Sequence, residues 1–569
     1  MTTTKFGAWL TCGLMLFACG DDGGEATTDP WQPTEGALPS GSPTDGNEGD
    51  TDNPPGGGTG NDDDDGATDD GLDSSDDGSE PPPAGVLAGD IAVDTIEVNQ
   101  GVGIEIARTG EVLPTNSRVA PVIGGRPALV RASYQLAPSF TSRPIVGRLW
   151  LVNGPDDHDV YTEQRMVSGG PDWGDIDGTF HWIVAPEDLT ADTEFRVQFL
   201  EVDESGEPSG DTSGSELPAG DFAPLDAWGD RMVLEVMLVP FDCSGWPQLD
   251  LSPDNIADFE AFLFNTYPVQ ELELTVHEPV FSNSCDAFYA AEDELPALRQ
   301  SEGADPWVYY GGLLPGNGGG YSISIQGSDQ MDYRRTFANH TWRDYGLTFD
   351  LFAHELGHNH GRDHTFEDGS YPGDNGGSCG SISTYGWGPR SGSMPSSAFS
   401  NDKDIGISWF DPHDTLLWPT DASCGGLPEG NRWNFNDMMS YEYPYWVSAY
   451  TYAAAAERVR LISSWSNGNA PEGEGGQTLR LVLGPEGDVH RFEHPGVITV
   501  DDPEAWAICS GPDGEQRVPV RRGSSQREFR GERGQLRSFR YDTYELPVPD
   551  GFDASGCRLE GSSTSFMAE

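Results

Sequence analysis

The chain is predicted to be multidomain. A central α+β domain, built from a mixed sheet and one histidine-bearing helix, is flanked by an N-terminal β-sandwich and a small C-terminal β-domain. Three observations predict this. The 569 residues are too many for one hydrophobic core. Beyond residue 86, short β-rich runs separated by Gly, Pro and Asp fill both flanks, while helical periodicity is concentrated in the middle. One of those helical stretches carries a dense histidine cluster, His354 to His364.

Residues 1–18 read as a signal peptide. Lys5 gives a positive start, and the apolar run Phe6 to Phe17 is too short to span a bilayer comfortably. Leu16-Phe17-Ala18-Cys19 resembles a bacterial lipobox, which implies removal of the signal before Cys19 and lipidation of that residue. The chain is therefore expected to be exported and lipid-anchored to a bacterial membrane, at the outer membrane or cell surface, with plain secretion as the alternative. Residues 19–86 are Gly, Pro, Ser, Thr and Asp with little apolar content. Such a segment cannot bury enough surface to offset its ordering entropy, and reads as an acidic tether. Asn61 to Gly66 is faintly like a calcium loop, but Leu72 stands where an EF-hand needs Glu.

The sandwich is placed at 87–228, on runs such as Ile91 to Val98, Ala128 to Tyr134, Ile145 to Val152 and Thr193 to Val202. The central domain is placed at 229–466. Met232 to Val239 is a nearly continuous apolar strand, as a strand buried on both faces requires. Asp254 to Tyr267 has apolar residues at helical spacing, a strand follows at Leu272 to Val276, and Val447 to Trp465 reads as a closing helix. The C-terminal β-domain is placed at 467–569, on Leu479 to Leu483, Val497 to Val500 and Arg537 to Leu546. Eight arginines between Arg517 and Arg540 suit either anionic glycans or cross-strand charge pairs.

The histidine cluster reads H-E-x-x-H-x-x-G-x-x-H, and its chemistry follows from helix geometry. His354 and His358 are four apart, so on a helix spanning about Phe349 to His360, with Thr348 as a candidate cap, they project from one face. Glu355 lies about 100° round, where it can serve a water as general base. Gly361 can take the left-handed conformation that ends a helix and turns the chain back, bringing in His364 as third ligand. Three imidazoles with one open position suit a catalytic Zn²⁺. A chance match has a probability on the order of one in thirty thousand. His360 falls on the far side of the helix, as a packing or supporting residue.

Together with Asp437-Met438-Met439-Ser440-Tyr441 downstream, this segment resembles the metzincin clan of zinc metalloendopeptidases, which pairs the long His motif with a Met-turn. The resemblance implies a metzincin-like central domain with Met439 as apolar floor beneath the metal. It also implies that Tyr441 ligates zinc or stabilises the oxyanion, with plain packing as its other reading. From Val308 to the Met-turn, including Tyr309-Tyr310-Gly311-Gly312, the chain looks most like bacterial secreted enzymes of the StcE, mucin-degrading type. Gly318-Gly319-Gly320 followed by Tyr321 to Ile325 resembles the metzincin edge strand, which an extended substrate joins by β-augmentation. An ordinary hairpin strand is the other reading.

Six cysteines remain after Cys12 and Cys19, and an even number in an exported chain implies disulfides. Pairing neighbours keeps each bridge within one domain: Cys243–Cys285, Cys379–Cys424 and Cys509–Cys557. The net charge of −64, with no Lys or Arg between Cys19 and Ala107, argues against nucleic acid as a partner. The expected partners are a protein or glycoprotein substrate and, through Cys19, a membrane; the sequence assigns no oligomeric state. The expected function is zinc-dependent hydrolysis of peptide bonds, Glu355 carrying the proton. The rival is a zinc-bearing adhesin or glycan-binding lipoprotein with little turnover, which would not require Glu355.

Overall fold

A computed structural model describes residues 85–560, except 155–156, 173–175, 204–205, 317, 324–330, 342–348, 363–435, 440–444, 448, 471–474, 485–486, 501–502, 504, 513 and 531–535. The fold is multidomain and α+β, with sheets predominating over helices.

The N-terminal strands form two five-stranded antiparallel sheets. One contains Gly103–Arg108, Ile91–Asn99, Ala128–Leu136 and Phe180–Val184; the other contains Glu194–Glu201, Arg143–Gly154 and Asp157–Val167. The sheets close face to face on aromatic rings, Phe180 lying 4.8 Å from Phe199 and Tyr134 edge-on to both. Gly147 permits this closeness, since a Cβ there would collide with the Phe180 ring.

The central strands are β1 (Val233–Cys243), β2 (Glu271–Val276), β3 (Tyr309–Pro315), β4 (Gly320–Ile323) and β5 (Thr336–Thr341). Helix α1 (Pro253–Thr266) joins β1 to β2, α2 (Phe349–Asn359) follows β5, and α3 (Ala449–Ser464) closes the region. The order is β2-β1-β3-β5-β4, with neighbours parallel except for β4, which runs antiparallel to β5. β3 is buried along its whole length, and the space above Gly311 is taken by the Phe352 ring of α2.

The C-terminal strands are β6 (Gln477–Leu483), β7 (Val489–Pro495), β8 (Ala505–Gly511), β9 (Gly514–Arg530), β10 (Leu536–Val548) and β11 (Cys557–Leu559). They do not stand apart as the sequence suggests. β9 pairs antiparallel with β4, and β10, β6 and β7 continue the same sheet, which reaches twelve strands. Two readings are corrected by this. Of the two readings of Tyr321 to Ile325, the edge strand is the one corrected: in its described part Tyr321 and Ser322 pair on both sides, with β5 and with β9, as an internal strand does. Val497 to Val500 is not a strand: Ile498 is buried, but its N–H goes to the Thr478 hydroxyl (3.2 Å) instead of a ladder.

Buried charges tie the C-terminal strands down. Arg480 on β6 forks onto Glu292 (2.8 and 3.0 Å) and reaches Glu545 on β10 at 2.6 Å; Arg334 also binds Glu545. Burial alone would depress Arg480, but Glu292 and Glu545 outweigh it and hold its pKa well above the ordinary value. At the other junction, fully buried Arg126 of the sandwich region donates to the carbonyls of Phe264 (2.5 Å), Tyr267 (2.9 Å) and Val269 (2.5 Å) at the end of α1. It thereby satisfies carbonyls that a helix terminus leaves open.

The bridges Cys243–Cys285 and Cys509–Cys557 form as expected, while Cys379 and Cys424 lie outside the described residues. Of the arginine cluster, Arg517, Arg521, Arg522 and Arg527 each face an acidic partner, respectively Glu560, Glu545, Asp542 and Asp286. Arg521 and Arg522, whose partners lie on β10, follow the cross-strand reading; Glu560 and Asp286 are not on paired strands. Among the described residues, no helix is long and apolar enough to cross a membrane.

Candidate metal centre

Helix α2 lies across β3, β5 and β4, and its buried face sets the geometry. Phe352 packs on Phe337 (ring centroids 4.6 Å) and Asn359 donates its amide to the Ser322 hydroxyl and to the Thr336 carbonyl (3.2 Å). The Tyr267 hydroxyl donates to the Ala353 carbonyl at 2.6 Å, fixing the turn just ahead of His354. His354, Glu355 and His358 are all buried.

The two imidazoles stand a helical turn apart, ring centroids 4.8 Å from each other and nearly perpendicular. Each directs Nδ1 at a backbone carbonyl: His354 at Met438 (2.6 Å) and His358 at Arg362 (2.6 Å). A carbonyl only accepts, so Nδ1 carries the proton in both rings and the lone pair sits on Nε2. That tautomer, held by an outer hydrogen bond, is what a metal-ligating histidine needs.

Local sequence explains both carbonyls. Gly361 adopts φ +80°, the left-handed conformation expected of it. The Arg362 N–H then bonds back to the Gly357 carbonyl (3.0 Å) and Gly361 N–H to His358 (2.8 Å), a helix stop that delivers the Arg362 carbonyl to the His358 ring. On the other side, Asp437 accepts from the Met439 N–H (2.8 Å), forming the turn that presents the Met438 carbonyl to His354. Met439 is fully buried against α2, and a Cβ on Gly357 would strike its sulfur. The Met floor and the glycine between Glu355 and His358 are thus matched.

Glu355 faces β4. A Cβ on Gly320 would collide with its carboxylate, so the strand backbone and the carboxylate are in direct apposition. The position of Gly320 is held by its neighbour Gly319, whose carbonyl accepts the His340 backbone N–H (3.0 Å) and lies 2.9 Å from the His340 Nδ1. The place of His340 beside this glycine run is not legible in the sequence, where its spacing carries no ligand-like signal. Arg362 and Met438, which act through main-chain carbonyls, were equally silent.

His360 turns away from the pair. It is buried between Tyr267 and Tyr309 (ring centroids 5.2 Å each), and burial, then Arg458 and Arg335, push its pKa well below the ordinary value. It fits the packing role. His364 and Tyr441 lie outside the described residues, as does Cys19. Among the described residues there is no cluster of three or more His, Cys, Asp or Glu side chains suited to a metal. The described part of the centre is two imidazoles of matching tautomer, a buried carboxylate and a methionine floor. These donors fit a borderline-soft divalent cation such as zinc. No family model matches the chain, and no curated protein matches it.

Proposed function

We propose that this chain is a zinc-dependent, metzincin-like endopeptidase acting on extracellular proteins or glycoproteins. The observation that carries the reading is the paired tautomer lock, His354 onto Met438 and His358 onto Arg362, with the buried Glu355 carboxylate on the same helix turned to Gly320 of β4. Zinc held by His354, His358 and His364 would supply Lewis-acid polarisation of the scissile carbonyl and acidify a water.

Glu355 takes the proton of the attacking water and passes it to the leaving nitrogen, which a buried carboxylate one position from the first ligand can reach. Met439 and Gly357 keep α2 and the Met-turn at fixed separation, so the Met438 carbonyl stays on the His354 ring. In this reading Tyr441 donates to the developing oxyanion. The chain acts outside the cytoplasm, anchored through lipidated Cys19.

The test is hydrolysis of casein, mucin and peptidoglycan by wild type and Glu355→Gln, with zinc measured on both. Protein hydrolysis by wild type, and its loss in a zinc-retaining variant, is expected. Zinc binding without hydrolysis of any of the three would favour the adhesin instead.

A further inference from the structure

Among the described residues, the outer side of β4 is where an extended peptide could join the sheet beside Glu355. It is already taken. Tyr321, Ser322 and Ile323 pair with Arg527, Gln526 and Ser525 of β9. The occupant is bolted in place: the Tyr321 hydroxyl meets both Glu292 and the Ser525 hydroxyl (2.7 Å), and Arg527 binds Asp286 at 2.5 Å. One strand further out, Arg480 and Arg334 hold Glu545 of β10 in the buried ion network. Breaking such a network to admit a substrate strand would leave buried charges without partners.

We propose that β9 is a built-in occupant that denies an extended substrate main-chain pairing on the N-terminal side of its scissile bond. The direction follows from strand geometry. β4 runs from Gly320, which abuts Glu355, towards Ile323. A peptide antiparallel to it, with its scissile bond beside Glu355, would set its preceding residues opposite Tyr321 to Ile323. Those positions belong to β9, so that side of the substrate must leave the sheet. Selection there cannot depend on an extended backbone, and a residue without an N–H is as acceptable as any other. This rests on the endopeptidase reading and adds where that enzyme does not read its substrate.

The experiment uses the full exported chain and a peptide it cleaves at a mapped bond. Proline or an N-methylated residue is placed in turn at the second, third and fourth positions on the N-terminal side. The expected change in kcat/KM is under about 2-fold at each, because no ladder hydrogen bond is lost. An alternating pattern of losses, roughly 2- to 12-fold for each bond removed, would overturn the proposal. Amide exchange at 321–323 gives a readout independent of turnover. It should be slow in the protein alone and unchanged by a peptide hydroxamate; fast exchange in the protein alone also overturns the proposal. If no peptide is cleaved while exchange is slow, the endopeptidase reading fails and the occupied edge stands.

Discussion

Gly320 and Glu355 are in such close apposition that the glycine's missing side chain defines the space of the carboxylate. Gly320→Ala would force Glu355 to swing aside. The collision is with the end of a flexible side chain, so the cost in stability should be modest, on the order of 1 kcal/mol or less. The cost in rate should be far larger, because a proton carrier must sit within hydrogen-bond reach of its proton. We expect hydrolysis to fall by about 10²-fold or more with zinc content and Tm nearly unchanged. Loss of zinc in this variant would show that Gly320 supports the ligands instead.

His358→Ala removes one of two imidazoles whose tautomers the fold fixes. Zinc content should drop from one per chain towards zero at micromolar protein and zinc, measured by elemental analysis after dialysis. The Arg362 carbonyl loses its donor as well, so a modest loss of stability, about 0.5–1.5 kcal/mol, should accompany it. Equal zinc in both proteins would end the ligand assignment.

How much of this was legible in the sequence depends on the range over which each feature is specified. The helix carrying His354 and His358 and its left-handed stop at Gly361 are set by residues close in sequence and could be read; the place of Met439 against Gly357 is long-range and was reached only through the resemblance. Two disulfides could also be read, since each closes within one region. The partner of β4 could not. Tyr321 and Ser525 are about two hundred positions apart, and neither segment's pattern of side chains says which strand it will join. Carbonyl partners are equally hidden, because every residue has one: nothing in Arg362, Met438 or Phe264 as a residue type announces what its backbone oxygen will receive. Val497 to Val500 misled for a related reason, as an apolar run reports burial without reporting a ladder.

Arg480→Met tests whether the C-terminal strands are integral to the centre. The change keeps much of the side chain's apolar body but leaves Glu292 and Glu545 buried without their shared cation. Breaking one side of a buried ion network typically costs about 3–5 kcal/mol. Urea unfolding should show a loss of that order. A loss below about 1 kcal/mol would mean that water or rearrangement replaces the arginine.

His494 gives a pH signature. Its ring lies 4.4 Å from Tyr333, and burial, followed by the charges of Arg480 and Arg334, pushes its pKa down to about 3. An unfolded histidine titrates near 6.5, so between those values the unfolded chain binds a proton that the folded one refuses. The stabilisation from keeping this ring neutral is complete above about pH 6.5 and is lost progressively as pH falls towards 3. Within that window His494 alone should contribute a slope of ~1.4 kcal/mol per pH unit. His494→Gln, which cannot take up the proton, should therefore lose less stability than wild type on acidification from pH 6.5 to 4, even if it starts lower. The measurement is urea unfolding at half-unit pH steps on both proteins, taking the difference so that carboxylate titrations common to both cancel. Parallel curves would show that His494 is protonated in the folded chain and that Arg480 and Arg334 do not enforce its neutrality.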